Sequence, residues 1–249
     1  MYFLNALHLK QFYSSDLGKQ VSKRLKQVTH KTWPHNDDET ILAIGYPTPI
    51  WERDKAPNSL MVAMPAEQGA VRWPKAEYGA SKTIVTHDAE LPLPSNSINR
   101  VILLHSLETS PNISALMKEI YRVLVPNGRV MLIAPNRLGL WSRSSNSPFG
   151  YGRPFSIQEI KSLLEHHELT FKRRRTWMFM PPTHNRFLLR AIRMVEFLGE
   201  FFLPMCGGIH LVEAEKQIYA SVMQPGARKA RGGVKRPAAV ATPTQMNRE

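Results

Sequence analysis

His105 closes the apolar run Val101–Leu104, so a buried strand would deliver its imidazole to the strand's carboxyl end. There a neutral imidazole can orient a bound molecule or take a proton near neutral pH. The other reading is a wall residue tied to backbone. Asp88 follows a short β-branched run, Thr83–Val85, and its carboxylate either accepts a hydrogen bond from a ligand or caps its own turn. Trp141, Arg143, Phe149, Tyr151 and Arg153 populate a Ser-, Gly- and Pro-rich stretch, Asn136–Pro154. Guanidinium and aromatic faces suit an anionic or planar ligand, or the rings pack on one another as an Ω-like cover. Cys206 is the one cysteine, which excludes a disulfide within the chain and a thiolate zinc site. Beside Met205 and Gly207 it reads as a small buried residue, and a cytoplasmic, reducing location follows. The metalloprotease, zinc, NTPase and α/β-hydrolase motifs do not occur, and no metal site is expected.

Such residues need a scaffold. Ala6–Val28 carries apolar residues at helical spacing, with Ser14, Ser15 and Asp16 positioned to end one helix and cap a second. Thr40–Gly45, Ser59–Met64, Thr83–Val85, Asn99–His105 and Arg129–Ala134 read as strands. Ser114–Leu124 reads as an amphipathic helix, and Ser156 with Glu159 forms a capping box ahead of Ile160, Leu163 and Leu164. Strands at Arg174–Met180 and Gly208–Ala220 follow, with a helix at Asn185–Phe202 between them. That helix has a wide apolar arc and a mixed-charge face, which suits packing on the sheet or dimerisation, with a membrane surface as the further use. Strands alternating with helices predict an α/β fold with a mostly parallel, Rossmann-like sheet of about seven strands. Ligands bind such sheets outside the carboxyl ends of the strands.

The stretch DAELPLPSNSINRVILLHSLE, Asp88 to Glu108, followed by EIYRVLVPNGRVMLIAPN, Glu119 to Asn136, resembles class I S-adenosylmethionine (SAM)-dependent methyltransferases of the type-11-like group. The likeness extends more loosely over Phe12 to Ala220. A looser similarity to alphaproteobacterial methyltransferase-like proteins lies in the proline-modified first loop. The resemblance implies a methyltransferase sheet with SAM as cofactor. It implies that Asp88 accepts from the adenine amino group, that the amide of Ala89 meets the ring, that Gly45 and Tyr46 border the cofactor, and that His105 borders the transfer cavity. It implies that the loop bearing Trp141, Arg143 and Phe149 covers the acceptor.

The first loop departs from that pattern. Where the family reads VLDLGCGTG, Ile41–Pro49 reads ILAIGYPTP. Glycines permit positive φ and close approach to a ligand, whereas proline fixes φ and donates no N–H. Pro47 and Pro49 therefore each remove a donor, and Ala43 replaces the acid. At the end of the second strand Met64 or Pro65 takes the acidic position, and Glu67 reads as a late, surface carboxylate. Two functions stay open: a methyltransferase with an atypical cofactor loop, or a methyltransferase-fold binding protein that has lost SAM.

The chain divides by composition into a helical lead-in (1–35), a methyltransferase-like domain (36–223) and a basic tail (224–249) that is expected to be disordered. Net charge is +13, which favours anionic partners. Arg228, Lys229, Arg231, Lys235, Arg236 and Arg248 supply part of it, as do Lys172, Arg173, Arg174 and Arg175. No apolar stretch reaches the roughly 18 residues of a transmembrane helix, and the N-terminus does not read as a signal peptide. Truncation after Met223 should leave the melting temperature within a few degrees and flatten the salt dependence of any anion binding. Calorimetry and binding titrations at two salt concentrations check both.

Overall fold

The structure is a computed structural model and describes residues 4–34, 38–51, 56–74, 80–87, 90–183, 192–202 and 205–217. The tail and the residues Asp88 and Ala89 lie outside the described residues. Two helices open the chain, α1 (Ala6–Ser14) and α2 (Asp16–Thr32). Between them Ser15 is in extended conformation, and its hydroxyl accepts from the Gly18 amide, which starts the second helix. The strands are β1 (Ile41–Gly45), β2 (Leu60–Pro65), β3 (Thr83–Thr86), β4 (Ile98–Leu104), β5 (Leu124–Pro135), β6 (Leu169–Trp177) and β7 (Ile209–Lys216). The remaining helices are α3 (Ile113–Val123), α4 (Ile157–His166) and α5 (Ile192–Phe202).

The seven strands lie in the order β3-β2-β1-β4-β5-β7-β6, parallel from β3 to β5, with β7 antiparallel to both β5 and β6. The apolar runs are continuous because both sheet faces are covered. Ala43, Ile102, Leu104, Met131 and Ile133 join the core beneath α1 and α2. Leu42, Ile44, Val101, Leu103 and Leu132 join the opposite core beneath α3 and α4.

The structure departs from the sequence expectation at several element boundaries and at one side chain. The third helix ends at Val123 and β5 starts at once, since Pro126 cannot continue a helix and restrains the residue before it. β6 begins at Leu169, five residues early, because it pairs with β7 along its whole length. Its basic run is tolerated on an edge strand, where Lys172 meets Glu215 at 3.2 Å and Arg173 meets Glu213. Cys206, expected to be buried, is exposed.

One carboxylate fixes the loop after β5. Burial pushes Glu159 up, but bonds from the Ser156 amide and hydroxyl, and from Arg137 and Arg153, outweigh it and bring the carboxyl down to about 2. Arg137 and Arg153 bracket the loop, so both its ends are clamped to the start of α4. A carboxyl lowered on folding contributes stability that is present above its ordinary value, 4.5, and lost as pH falls towards 2. Glu159→Gln should therefore lower stability at neutral pH and flatten the acid limb across that window. Urea unfolding at a series of pH values reads this out.

Candidate active site

The carboxyl ends of β1 and β4 meet side by side, with Gly45 in register with Leu104. Gly45 has φ +93°, and a Cβ there would sit 2.2 Å from the Leu104 carbonyl oxygen and 2.8 Å from the Ser106 Cβ. The glycine that sequence reasoning assigned to a cofactor is thus also demanded by the neighbouring strand.

His105 follows β4 with φ +55°, a left-handed conformation uncommon for a side-chain-bearing residue, and it is fully buried. The strained backbone turns the chain sharply and leaves the imidazole inside. Its Nε2 lies 2.7 Å from the Tyr13 hydroxyl and its Nδ1 3.1 Å from Glu108 Oε1. Burial raises the Tyr13 phenol well above its ordinary value, and the charges of Glu108 and Tyr46 add to the effect. A phenol that keeps its proton donates to Nε2, which leaves Nδ1–H to donate to Glu108. The result is a continuous phenol–imidazole–carboxylate chain. Its members come from α1, the end of β4 and the following turn. The His105 carbonyl also accepts from Gln68 Nε2 at 2.8 Å, which locks the turn after β2 to the same residue.

The His105 ring is held by side chains and not by backbone. Sequence reasoning missed Tyr13, Gln68 and Glu108. Only Glu108 carried a signal, three residues after His105, while Tyr13 is 92 residues away.

The neighbouring residues are apolar. Phe149 packs on His105 at 4.6 Å between ring centroids, and Trp141 packs edge-on against Phe149 at 5.9 Å. Trp141 is fully buried and its indole donates to the Met180 carbonyl at 2.6 Å, so it anchors the loop and presents no free face. Arg143, expected on the acceptor loop, is exposed and does not line the cavity described next. Tyr46 is buried, stacks on Tyr13 at 6.0 Å, and donates its amide to the Leu104 carbonyl at 2.8 Å. Ser22 of α2 donates to the Pro49 carbonyl at 2.7 Å, so the lead-in helices sit directly on the proline loop.

A cavity of about 380 Å³ opens between α1 and the loop after β5. Phe12, Ser15, Asn146, Ser147 and Tyr151 line it, next to the Tyr13–His105–Phe149 group. The lining holds hydroxyls, amides, aromatic rings and one imidazole, His8, without a carboxylate, lysine or arginine. Buried polar atoms without a partner cluster nearby: the hydroxyls of Ser106 and Ser147 and the second carboxylate oxygen of Glu108. At the end of β2, Glu67 is a surface residue as expected, 3.2 Å from His87. Among the described residues no group of side chains could hold a metal ion.

Tyr13→Phe removes the phenol and leaves a buried imidazole nitrogen unpaired. It should cost about 1–3 kcal/mol of stability by denaturant unfolding, with Leu or Met at a neighbouring apolar helix position as control. A change below about 0.5 kcal/mol would show that the bond is not made in solution.

Residues 45–132 match a family described as "Methyltransferase domain", a span that runs from Gly45 through His105 into β5. No curated protein sequence matches the chain. Among solved structures, a SAM-dependent methyltransferase from Thermotoga maritima is 13% identical with a TM-score of 0.59, covering 85% of this chain and 95% of that one. A SAM-dependent methyltransferase from Archaeoglobus fulgidus is 15% identical with a TM-score of 0.54, covering 84% and 98%. A phosphoethanolamine N-methyltransferase from Haemonchus contortus, in complex with S-adenosylhomocysteine, is 11% identical with a TM-score of 0.53, covering 84% and 60%. The chain has the class I methyltransferase fold, and within it residues 45–132 match the methyltransferase-domain family.

Proposed function

We propose that the protein is a SAM-dependent methyltransferase with a remodelled cofactor loop, in which residues 1–35 form a helical lead-in, 36–223 the methyltransferase-like domain and 224–249 a basic tail. One observation carries this reading: the methyltransferase-domain match spans the strand ends where the Tyr13–His105–Glu108 chain converges.

The residues fit SAM unevenly. Asp88 and Ala89, from the intact sequence element, would hold the adenine end. The methionine end does not fit in the family's way. Ala43 is buried and has no carboxylate, the Tyr46 amide is spent on Leu104, and Pro47 and Pro49 donate nothing. Next to Gly45 stands the unpaired Ser106 hydroxyl, a replacement donor of a different kind.

The Tyr13–His105–Glu108 chain serves the acceptor. A hydroxyl or amine bonded to the Tyr13 oxygen can pass its proton through the phenol to His105, with Glu108 stabilising the imidazolium. The adjoining cavity has the size of a small-molecule site, and its uncharged lining suits a neutral, hydroxyl-bearing or planar acceptor. The lost donors favour a second reading, a non-catalytic protein that keeps the fold for binding.

Calorimetric titration separates the two. SAM should bind weakly, with S-adenosylhomocysteine or adenosine competing almost as well. Asp88→Ala should cost about 1.5–3 kcal/mol, roughly ten- to a hundredfold in affinity. Ala43→Asp with Pro47→Gly and Pro49→Gly should tighten binding. No SAM binding by either the natural or the restored chain would establish the non-catalytic reading.

A further inference from the structure

The helix α5 is seated opposite to what its sequence pattern leads one to expect. Met194, Phe197, Leu198, Phe201 and Phe202 recur at the spacing of one helix face, which a soluble protein normally buries. Here that face points outward: Phe197 is 70% exposed, Phe201 74% and Phe202 68%. The inward face carries Val195, Glu196 and Gly199. The Glu196 carboxylate is buried and accepts from the backbone amides of Met178 and Met180, each at 3.1 Å. A Cβ on Gly199 would lie 2.3 Å from the Phe179 side chain, so the glycine lets the helix come close. Glu196 and Gly199 thus fix the rotation of the helix, and the phenylalanines are held outward by specific contacts. Of the uses expected for this helix, packing on the sheet does not apply to these side chains.

Further large apolar side chains are exposed outside the helix. Leu138 and Leu140 are exposed on the loop after β5. That loop is tied to the segment after α5, because Asn136 Nδ2 donates to the carbonyls of Met205 and Gly207.

The flank is basic. Helix α2 carries Lys19, Lys23, Arg24, Lys26 and Lys31 against a single acid, Asp16. A hollow of about 520 Å³ separates it from α5, lined by Arg24, Lys31 and Arg175 on one side and by Phe197 and Glu200 on the other. A row of cations beside an outward apolar helix matches a bilayer surface, with acyl chains receiving the rings and anionic headgroups meeting the lysines. A second copy matches less well, since each copy carries +13 and brings the same basic ridge.

We propose that α5, with α2 beside it, docks the protein on anionic membranes as a peripheral, non-spanning element. The surface is distinct from the Tyr13–His105–Glu108 site, and the proposal does not depend on methyl transfer. Among the described residues no helix is long and apolar enough to cross a membrane.

Flotation of the full chain with vesicles tests this, using phosphatidylcholine alone and phosphatidylcholine mixed with phosphatidylglycerol. The expected result is binding to the anionic vesicles, weakened by salt, and little binding to the neutral ones. Phe197→Ser and Phe201→Ser should each lower partitioning by about tenfold, and Lys23→Glu with Lys31→Glu should reduce it and flatten its salt dependence. Thermal melts verify that these surface variants fold. Three results overturn the proposal: no binding to anionic vesicles; binding unchanged in the phenylalanine variants, which places the attraction in charges elsewhere; or a dimer in sedimentation velocity that the phenylalanine changes dissociate, which gives the face to a second copy.

Discussion

The site depends on the left-handed turn at His105. A residue with a side chain at φ +55° is held there only when its surroundings determine it. Here the carbonyl is taken by Gln68, one ring nitrogen by Tyr13, the other by Glu108, and one ring face by Phe149. Three segments distant in sequence, and the turn that carries Glu108, therefore converge on one residue. Gly45 shares the constraint, because the same turn brings the Leu104 carbonyl and Ser106 against the end of β1 and leaves no room for a Cβ. The lead-in helices follow from it too, since Tyr13 must reach His105 and is supported there by Tyr46 beneath and by the anchor of Ser22 on Pro49.

The proline-rich loop packs against the two lead-in helices. Tyr46 is buried, Ile50 is fully buried, and Trp51 joins the core beneath α1 and α2. A flexible glycine loop would offer amides to a ligand, whereas this one offers rings to two helices. The loop thereby supports Tyr13 where it meets His105. The uncharged cavity beside that contact is a consequence of the same helices meeting the clamped loop after β5.

A second device of the same kind sets the outer surface. Glu196 supplies acceptors that the backbone after β6 needs, and Gly199 removes the side chain that would keep the helix away. Satisfying two buried amides outweighs the usual preference for turning phenylalanine inward, because an unpaired buried N–H costs free energy comparable to a lost hydrogen bond. The exposed face is therefore a product of polar bookkeeping inside the protein.

The sequence by itself determined the sheet, its continuous apolar strands, the Ser156–Glu159 capping box and the positions of Gly45 and His105 at strand ends. These features are local: each rests on residues within a few positions of one another, where periodicity and capping chemistry act. The edge strand β6 was only half legible, because four basic residues hide a strand whose acid partners lie on β7. Tertiary structure alone decided that Tyr13 meets His105, that Trp141 is an anchor while Arg143 stays in solvent, that Cys206 is exposed, and that α5 faces outward. Tyr13, Trp141 and α5 take partners from elsewhere along the chain, and a side chain's neighbours across a fold are not encoded in the spacing of its own segment.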